Sequence, residues 1–183
     1  MKTVDRVLQR WRIRKAMSFI PPGARVLDIG CADGVLFRML GDRIAVGVGI
    51  DPDAEDGAVG PHARIYRGLF PVAVPDIQPF DVICLLAVLE HIPEAEQQTL
   101  TKNCYHALNP GGVVVVTVPA PAVDAALAVL RALRLIDGMS LEQHYGFNPA
   151  RLPELFESSG LSLIRHRRFQ MGFNHLFAFR RSG

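Results

Sequence analysis

The sequence predicts an open, doubly wound α/β sheet, and three observations carry that prediction. Short runs rich in β-branched residues, "ARVLDIG", "RIAVGVGID", "FDVICLLAV" and "VVVVTVP", alternate with stretches of helical period. Several of these runs are continuously apolar, the pattern of parallel strands covered on both faces. The chain then closes with two neighbouring strands, "LSLIRHRRF" and "HLFAFRR", joined by the glycine-containing "QMGFN", which reads as an antiparallel pair. In such a sheet the ligand crevice lies at the carboxyl ends of the first strands.

Taken in order, residues 4 to about 19 read as a helix, with Val4, Val7, Leu8, Trp11 and Ala16 at helical spacing and "PPG" ending it. "ARVLDIG" is a buried strand. "GVLFRMLGD" is a helix with Gly41 near its C-cap. "RIAVGVGID" is the second strand, ending on Asp51, and "ARIYRG" is a weak third. Residues 69–79 hold three prolines and read as a loop. "FDVICLLAV" is the fourth strand and "EAEQQTLTKNCYHAL" a helix with a polar outer face. "NPGG" is a turn before the fifth strand, "VVVVTVP". "PAVDAALAVLRALRLID" is a strongly apolar helix. In "NPARLPELFESSG", Asn148 suits the N-cap, Pro149 the first helical position, and Gly160 the end.

At 183 residues the chain suits one domain, with an N-terminal helix at 1–20 and a substrate-side lid at 120–147. It is 49% hydrophobic and 21% charged, an ordinary globular composition. A net charge of +2 is too mild to argue for nucleic acid. The cysteines Cys31, Cys84 and Cys104 lie far apart and read as small core residues in a reducing compartment. No ligand spacing supports a metal, and no run reaches the roughly 18 apolar residues of a membrane span. The basic N-terminus lacks the apolar centre of a secretory leader, so a cytoplasmic location is the expectation.

The stretch "VLDIGCADGVLF" is the most informative. It has the strand, small-residue turn and helix of a nucleotide-binding unit. A pyrophosphate-binding turn follows G-x-G-x-x-G without a leading acid. Here the pattern is Asp28-x-Gly30-x-Ala32-x-Gly34, with Asp33 inside it. Two carboxylates repel a pyrophosphate and suit a nucleoside ligand that carries positive charge. The segment resembles motif I, D-x-G-x-G-x-G, of the class I S-adenosylmethionine-dependent methyltransferases. "GVGIDPD" resembles that family's second strand, "FDVICLLAVLEHIPE" its fourth strand in the small-molecule, type 11/12-like branch, and "LNPGGVVVVTVP" its fifth. The late helix and sixth strand also match, so the resemblance spans nearly the whole chain.

The resemblance implies a Rossmann-like sheet of seven strands in the order 3-2-1-4-5-7-6, mostly parallel with an antiparallel C-terminal hairpin. It implies S-adenosylmethionine as cofactor and S-adenosylhomocysteine as product. Asp28, Gly30, Cys31, Ala32 and Gly34 form the first part of the implied cofactor site. Asp28 orients the loop through backbone amides or meets the methionine end, with simple turn capping as its alternative. Asp51 takes the ribose hydroxyls beside Pro52, and Leu86 and Ala87 close the fourth strand. Ala32 replaces the middle glycine. Leu69 stands where the family often has an acid for the adenine amino group, so adenine is expected against backbone near Leu69 and the Phe70 ring.

His91 and His144 are the candidate general bases. The alternative for the "LEH" of Leu89–His91 is a purely structural role. The segment lacks the N/D-P-P-Y/F sequence of enzymes that methylate base amino groups. The expected acceptor is therefore a small molecule, anionic or partly apolar, with O-methylation the first guess. No nucleic-acid partner is expected, and the protein is expected as a monomer or homodimer. The competing readings are a catalytically silent subunit of a complex and an NAD-binding oxidoreductase.

Overall fold

The computed structural model describes residues 3–75, 78–120 and 148–182. Helix α1 (Thr3–Ala16) runs into a single 3-10 turn, Met17–Phe19. Strand β1 (Arg25–Ile29) leads through the small-residue loop into α2 (Val35–Leu40), which stops at Gly41. Strands β2 (Val46–Asp51), β3 (Gly57–Ala58), β4 (Ala63–Arg67) and β5 (Phe80–Leu86) follow. Helix α3 (Glu94–Ala107) connects to β6 (Leu108–Pro119). Helix α4 (Leu152–Glu157) precedes the hairpin of β7 (Leu161–Phe169) and β8 (Asn174–Arg181). The 3-10 turn before α4 is capped as its sequence predicts, with Ala150 N donating to Asn148 Oδ1 at 3.0 Å.

Among the described residues the sheet has eight strands, in the order β3-β4-β2-β1-β5-β6-β8-β7. The expected count of seven is corrected by β3, a two-residue strand antiparallel to β4 through Gly57↔Ile65 and Ala58↔Arg64. "EDGAVG" carries no strand signal, being acidic and glycine-rich. Its extension comes from pairing with the β4 edge. Without β3, the expected order stands. Strand β1 is central, pairing in parallel with β2 (Leu27↔Val48) and β5 (Leu27↔Ile83). The "NPGG" turn lies inside β6 rather than before it. Pairing jumps from Phe80↔Leu108 to Val82↔Val113, and residues 109–112 bulge out between them.

Core side chains cover both faces. Leu27, Ile83 and Val116 pack with Leu100 and Phe156 from α3 and α4. Val26, Cys84 and Val115 pack with Ile13 and Phe37 from α1 and α2. All three cysteines are buried free thiols. The crossover from β1 carries α2 over one face of the sheet, and the crossover from β5 carries α3 over the other. The gap at the β1 and β5 tips is therefore a topological switch point. The expected apolar lid helix lies in 121–147, outside the described residues.

Candidate functional site

The loop after β1 is held against the tip of β2. Gly30 N donates to Ile50 O at 2.8 Å, and Gly34 N to Cys31 O at 2.9 Å. Gly30 sits at φ +72°, and a Cβ there would lie 2.3 Å from Val88 Cγ2. Only glycine satisfies both the backbone angle and that contact. Ala32 adopts φ +46°, an unfavourable angle for its methyl. Its N–H donates to Asp51 Oδ2 at 2.9 Å, while Asp53 N donates to Asp51 Oδ1 at 2.9 Å. Asp51 thus clasps both its own turn and the glycine loop.

Of the two roles expected of Asp28, bonding the loop amides is not seen among its contacts, which leaves the methionine end of the ligand. Its side chain makes no hydrogen bond or ion pair with the described residues, and the loop amide it was expected to hold goes to Asp51. Asp28 is only 4% exposed. Burial, reinforced by the charge of Asp51, pushes its carboxyl up to about 8. Asp33 pairs with Arg38 at 2.8 Å on the surface, at the edge of the hollow beside Asp51. Cys31 turns into the core beside Gly49, where burial holds its thiol well above the usual range.

Two hollows border the β2 tip. One, of 530 Å³, is lined by Gly30, Pro52, Leu69, Phe70, Val88 and His91, with the outer face of α3 as a further wall. The other, of 600 Å³, is lined by Ala32, Asp51, Asp53 and Val59. Leu69 is exposed, and Phe70 packs its ring on the core below the first hollow. Asp28, Cys31, Gly34, Leu86 and Ala87 line neither hollow, Asp28 being buried behind the loop. Gly34 instead approaches Val59 and Ile65 under the loop, and Ala87 N donates to Thr117 O at 2.9 Å.

His91 ends the 3-10 turn Leu89–His91 at the mouth of the first hollow, whereas its neighbour Glu90 is 2% exposed. Burial lowers the pKa of the Arg12 guanidinium, and the charge of Glu90 acts in the opposite direction. The sequence assigns Val88 no role and places Arg12 only among the basic residues of the first helix. Val88 lies in an apolar run that gives no sign of its contact with Gly30. Arg12 is one of several basic residues on α1, and only tertiary packing sets it apart. His144 lies outside the described residues. Among the described residues, no group of His, Cys, Asp or Glu is placed to hold a metal ion.

The geometry has counterparts among known proteins. A family profile described as a methyltransferase domain matches residues 2–166. The mitochondrial ubiquinone biosynthesis O-methyltransferase of Mus musculus is 29% identical over 157 residues, 77% of this chain but 42% of that protein. The ubiquinone biosynthesis O-methyltransferase of Methylococcus capsulatus is 28% identical over 186 residues, covering 87% of this chain and 77% of that one. The chain therefore spans less than half the length of the mouse relative. In fold it is similar to the N-methyltransferase NodS of Bradyrhizobium japonicum in complex with S-adenosylhomocysteine. The TM-score is 0.68 at 16% identity, with 100% of this chain and 89% of that one covered. With a family profile matched along nearly its whole length, on a sheet whose first loop is clasped by the acid of its second strand, the chain belongs to the class I S-adenosylmethionine-dependent methyltransferases.

Proposed function

We propose that the protein transfers a methyl group from S-adenosylmethionine to an oxygen of a small-molecule acceptor. The observation that carries this reading is Asp28, a buried carboxyl without a partner among the described residues, near the tip of β1 and beside a glycine loop held by Asp51. A partnerless buried acid suits a ligand bearing an ammonium, not a pyrophosphate. When bound, S-adenosylmethionine supplies an electrophilic methyl group.

The chain's own residues bind, orient and exclude water. Asp51 keeps both loop amides and has lone pairs left for ribose hydroxyls. Leu69, Phe70 and Pro52 offer apolar walls to a purine. The loop of Gly30, Cys31, Ala32 and Gly34 keeps the backbone close, and Leu86 and Ala87 complete the β5 tip. Asp28 ionises opposite the ammonium. His91, at the mouth, takes the proton from an acceptor hydroxyl, with His144 the second candidate for this step. The acceptor class draws support from the names of the curated relatives, ubiquinone biosynthesis O-methyltransferases. Action in the cytoplasm accords with this reading.

Calorimetric titration with S-adenosylhomocysteine, S-adenosylmethionine and NAD tests the assignment. The first two should bind and NAD should not. Asp51→Ala should weaken S-adenosylhomocysteine binding by about 1–3 kcal/mol, because polar groups are left unpaired. Binding of NAD alone, or unchanged affinity in the variant, would overturn it.

A further inference from the structure

One face of the molecule carries a charge pattern that the cofactor hollows do not use. A cleft of 570 Å³ runs between the C-terminal end of α1 and the open face of β7 and β8. Lys15, Arg165, Arg167, Arg168 and Arg180 line it, and no acid does. On the other side of α1, a hollow of 510 Å³ is lined by Arg6, Arg10, Arg14 and Arg38. Its one acid, Asp33, is already bound to Arg38.

Other arginines are satisfied. Arg25, Arg43, Arg67 and Arg181 donate to backbone carbonyls, and Arg151 pairs with Glu94. By contrast, none of the five cations of the first cleft makes a side-chain hydrogen bond or ion pair with the described residues.

The ridge between the two basic hollows is apolar. Val7 is 58% exposed and Trp11 41%, both opposite the buried Ile13 and Ala16 of α1. Met171, at the tip of the β7–β8 turn, is 91% exposed. That turn is tied to α1, since Gln170 Nε2 donates to Leu8 O at 3.1 Å. Trp11 and Met171 therefore sit on two connected elements.

The spread of cations decides the ligand class. A small phosphorylated molecule needs donors that converge on one point. Here they flank a helix whose Arg6 and Arg14 alone stand about 12 Å apart. The exposed aliphatic Val7 and Met171 gain nothing from a nucleic acid, which rewards stacking aromatics. A basic field with protruding apolar side chains suits the headgroup boundary of a membrane. We propose that this face docks the protein on an anionic lipid bilayer. Arginines of α1 and β7 meet the headgroup phosphates, while Val7, Trp11 and Met171 enter the acyl boundary. The proposal is independent of the methyl-transfer reading.

Co-sedimentation tests it, using vesicles of phosphatidylcholine alone and of phosphatidylcholine with about 30% phosphatidylglycerol. The intact protein should sediment with the anionic vesicles only, and less as salt rises. R165Q/R167Q should weaken that binding about 25-fold, near fivefold per charge lost. M171S, which leaves every charge in place, should weaken it severalfold. S-adenosylhomocysteine affinity should match the parent protein in both variants, which separates lost docking from lost folding. Equal binding to neutral vesicles, or no vesicle binding, overturns the proposal. So does binding of single-stranded RNA, sensitive to R165Q/R167Q, without vesicle binding. If the parent protein binds vesicles but not S-adenosylhomocysteine, the membrane face stands and the cofactor assignment falls.

Discussion

Burial, reinforced by the charge of Asp51, raises the Asp28 carboxyl from its ordinary 3.8 to about 8, which favours the protonated form at neutral pH. The unfolded chain releases that proton near 3.8, so between the two values it binds fewer protons than the native state. Stability contributed through this group is present below about pH 4 and is lost as pH rises toward about 8. Asp28→Asn removes the titration. At pH 7 it should stabilise the protein by on the order of 4 kcal/mol, with almost no gain near pH 4, read from urea unfolding at both values. Equal effects at the two pH values would refute the burial argument. The same residue should couple binding to pH. An ammonium-bearing ligand selects the ionised carboxyl, so S-adenosylhomocysteine affinity should rise as pH approaches about 8 and level off beyond it. Asp28→Asn should abolish that rise and lower affinity. The sequence signalled an acid at this point of the loop. It could not signal that Asp51, nineteen residues beyond Ala32, takes the Ala32 amide and leaves Asp28 without a partner among the described residues.

Strand β2 decides how closely the loop and α2 approach the sheet. Its alternating glycines, Gly47 and Gly49, place backbone where side chains would otherwise stand. A Cβ on Gly47 would meet Ala63 Cβ at 2.6 Å and the Phe37 ring at 2.7 Å, and one on Gly49 would meet Cys31 Sγ at 2.6 Å. The alternation thus seats α2 through Phe37 and the cofactor loop through Cys31. Gly47→Val should cost about 2–3 kcal/mol, because a ring packed in the core must move, and the denaturation midpoint should show it. A change within a few tenths of a kcal/mol would mean that Phe37 has room to shift. "VGVGID" was legible as a strand by its β-branched residues. The purpose of its glycines was not, because it depends on partners distant in sequence. Strand β3 escaped for a related reason: its extension comes from the neighbouring edge, not from its own residues.

At the scale of the molecule, alternation of apolar runs and helical periods made the parallel order legible, and the closing hairpin followed from two strands around a glycine. The site was legible as far as its motifs reached. Gly30, Pro52, Leu69, Phe70 and His91, read from four separate segments, line one hollow. What the motifs did not reach was the packing between elements, including Arg12 against Glu90 and Val88 over Gly30. That hollow occupies the carboxyl end of the parallel strands, and the other end carries fastenings of a different kind. Arg181, at the close of β8, donates to the carbonyls of Tyr105 and Leu108, and its guanidinium lies 4.4 Å from the Tyr105 ring centroid. It thereby satisfies the last turn of α3 and ties it to the final strand. Arg181→Ala should lower stability by about 1–3 kcal/mol, through unpaired carbonyls and a lost ring contact. Because the contacts stand at the end of the sheet opposite the cofactor loop, S-adenosylhomocysteine affinity in the folded variant should stay at the parent value. Unfolding and titration of the one variant check both halves of that expectation. A fall in affinity alongside stability would show that the two ends of the sheet are coupled through β5 and β6.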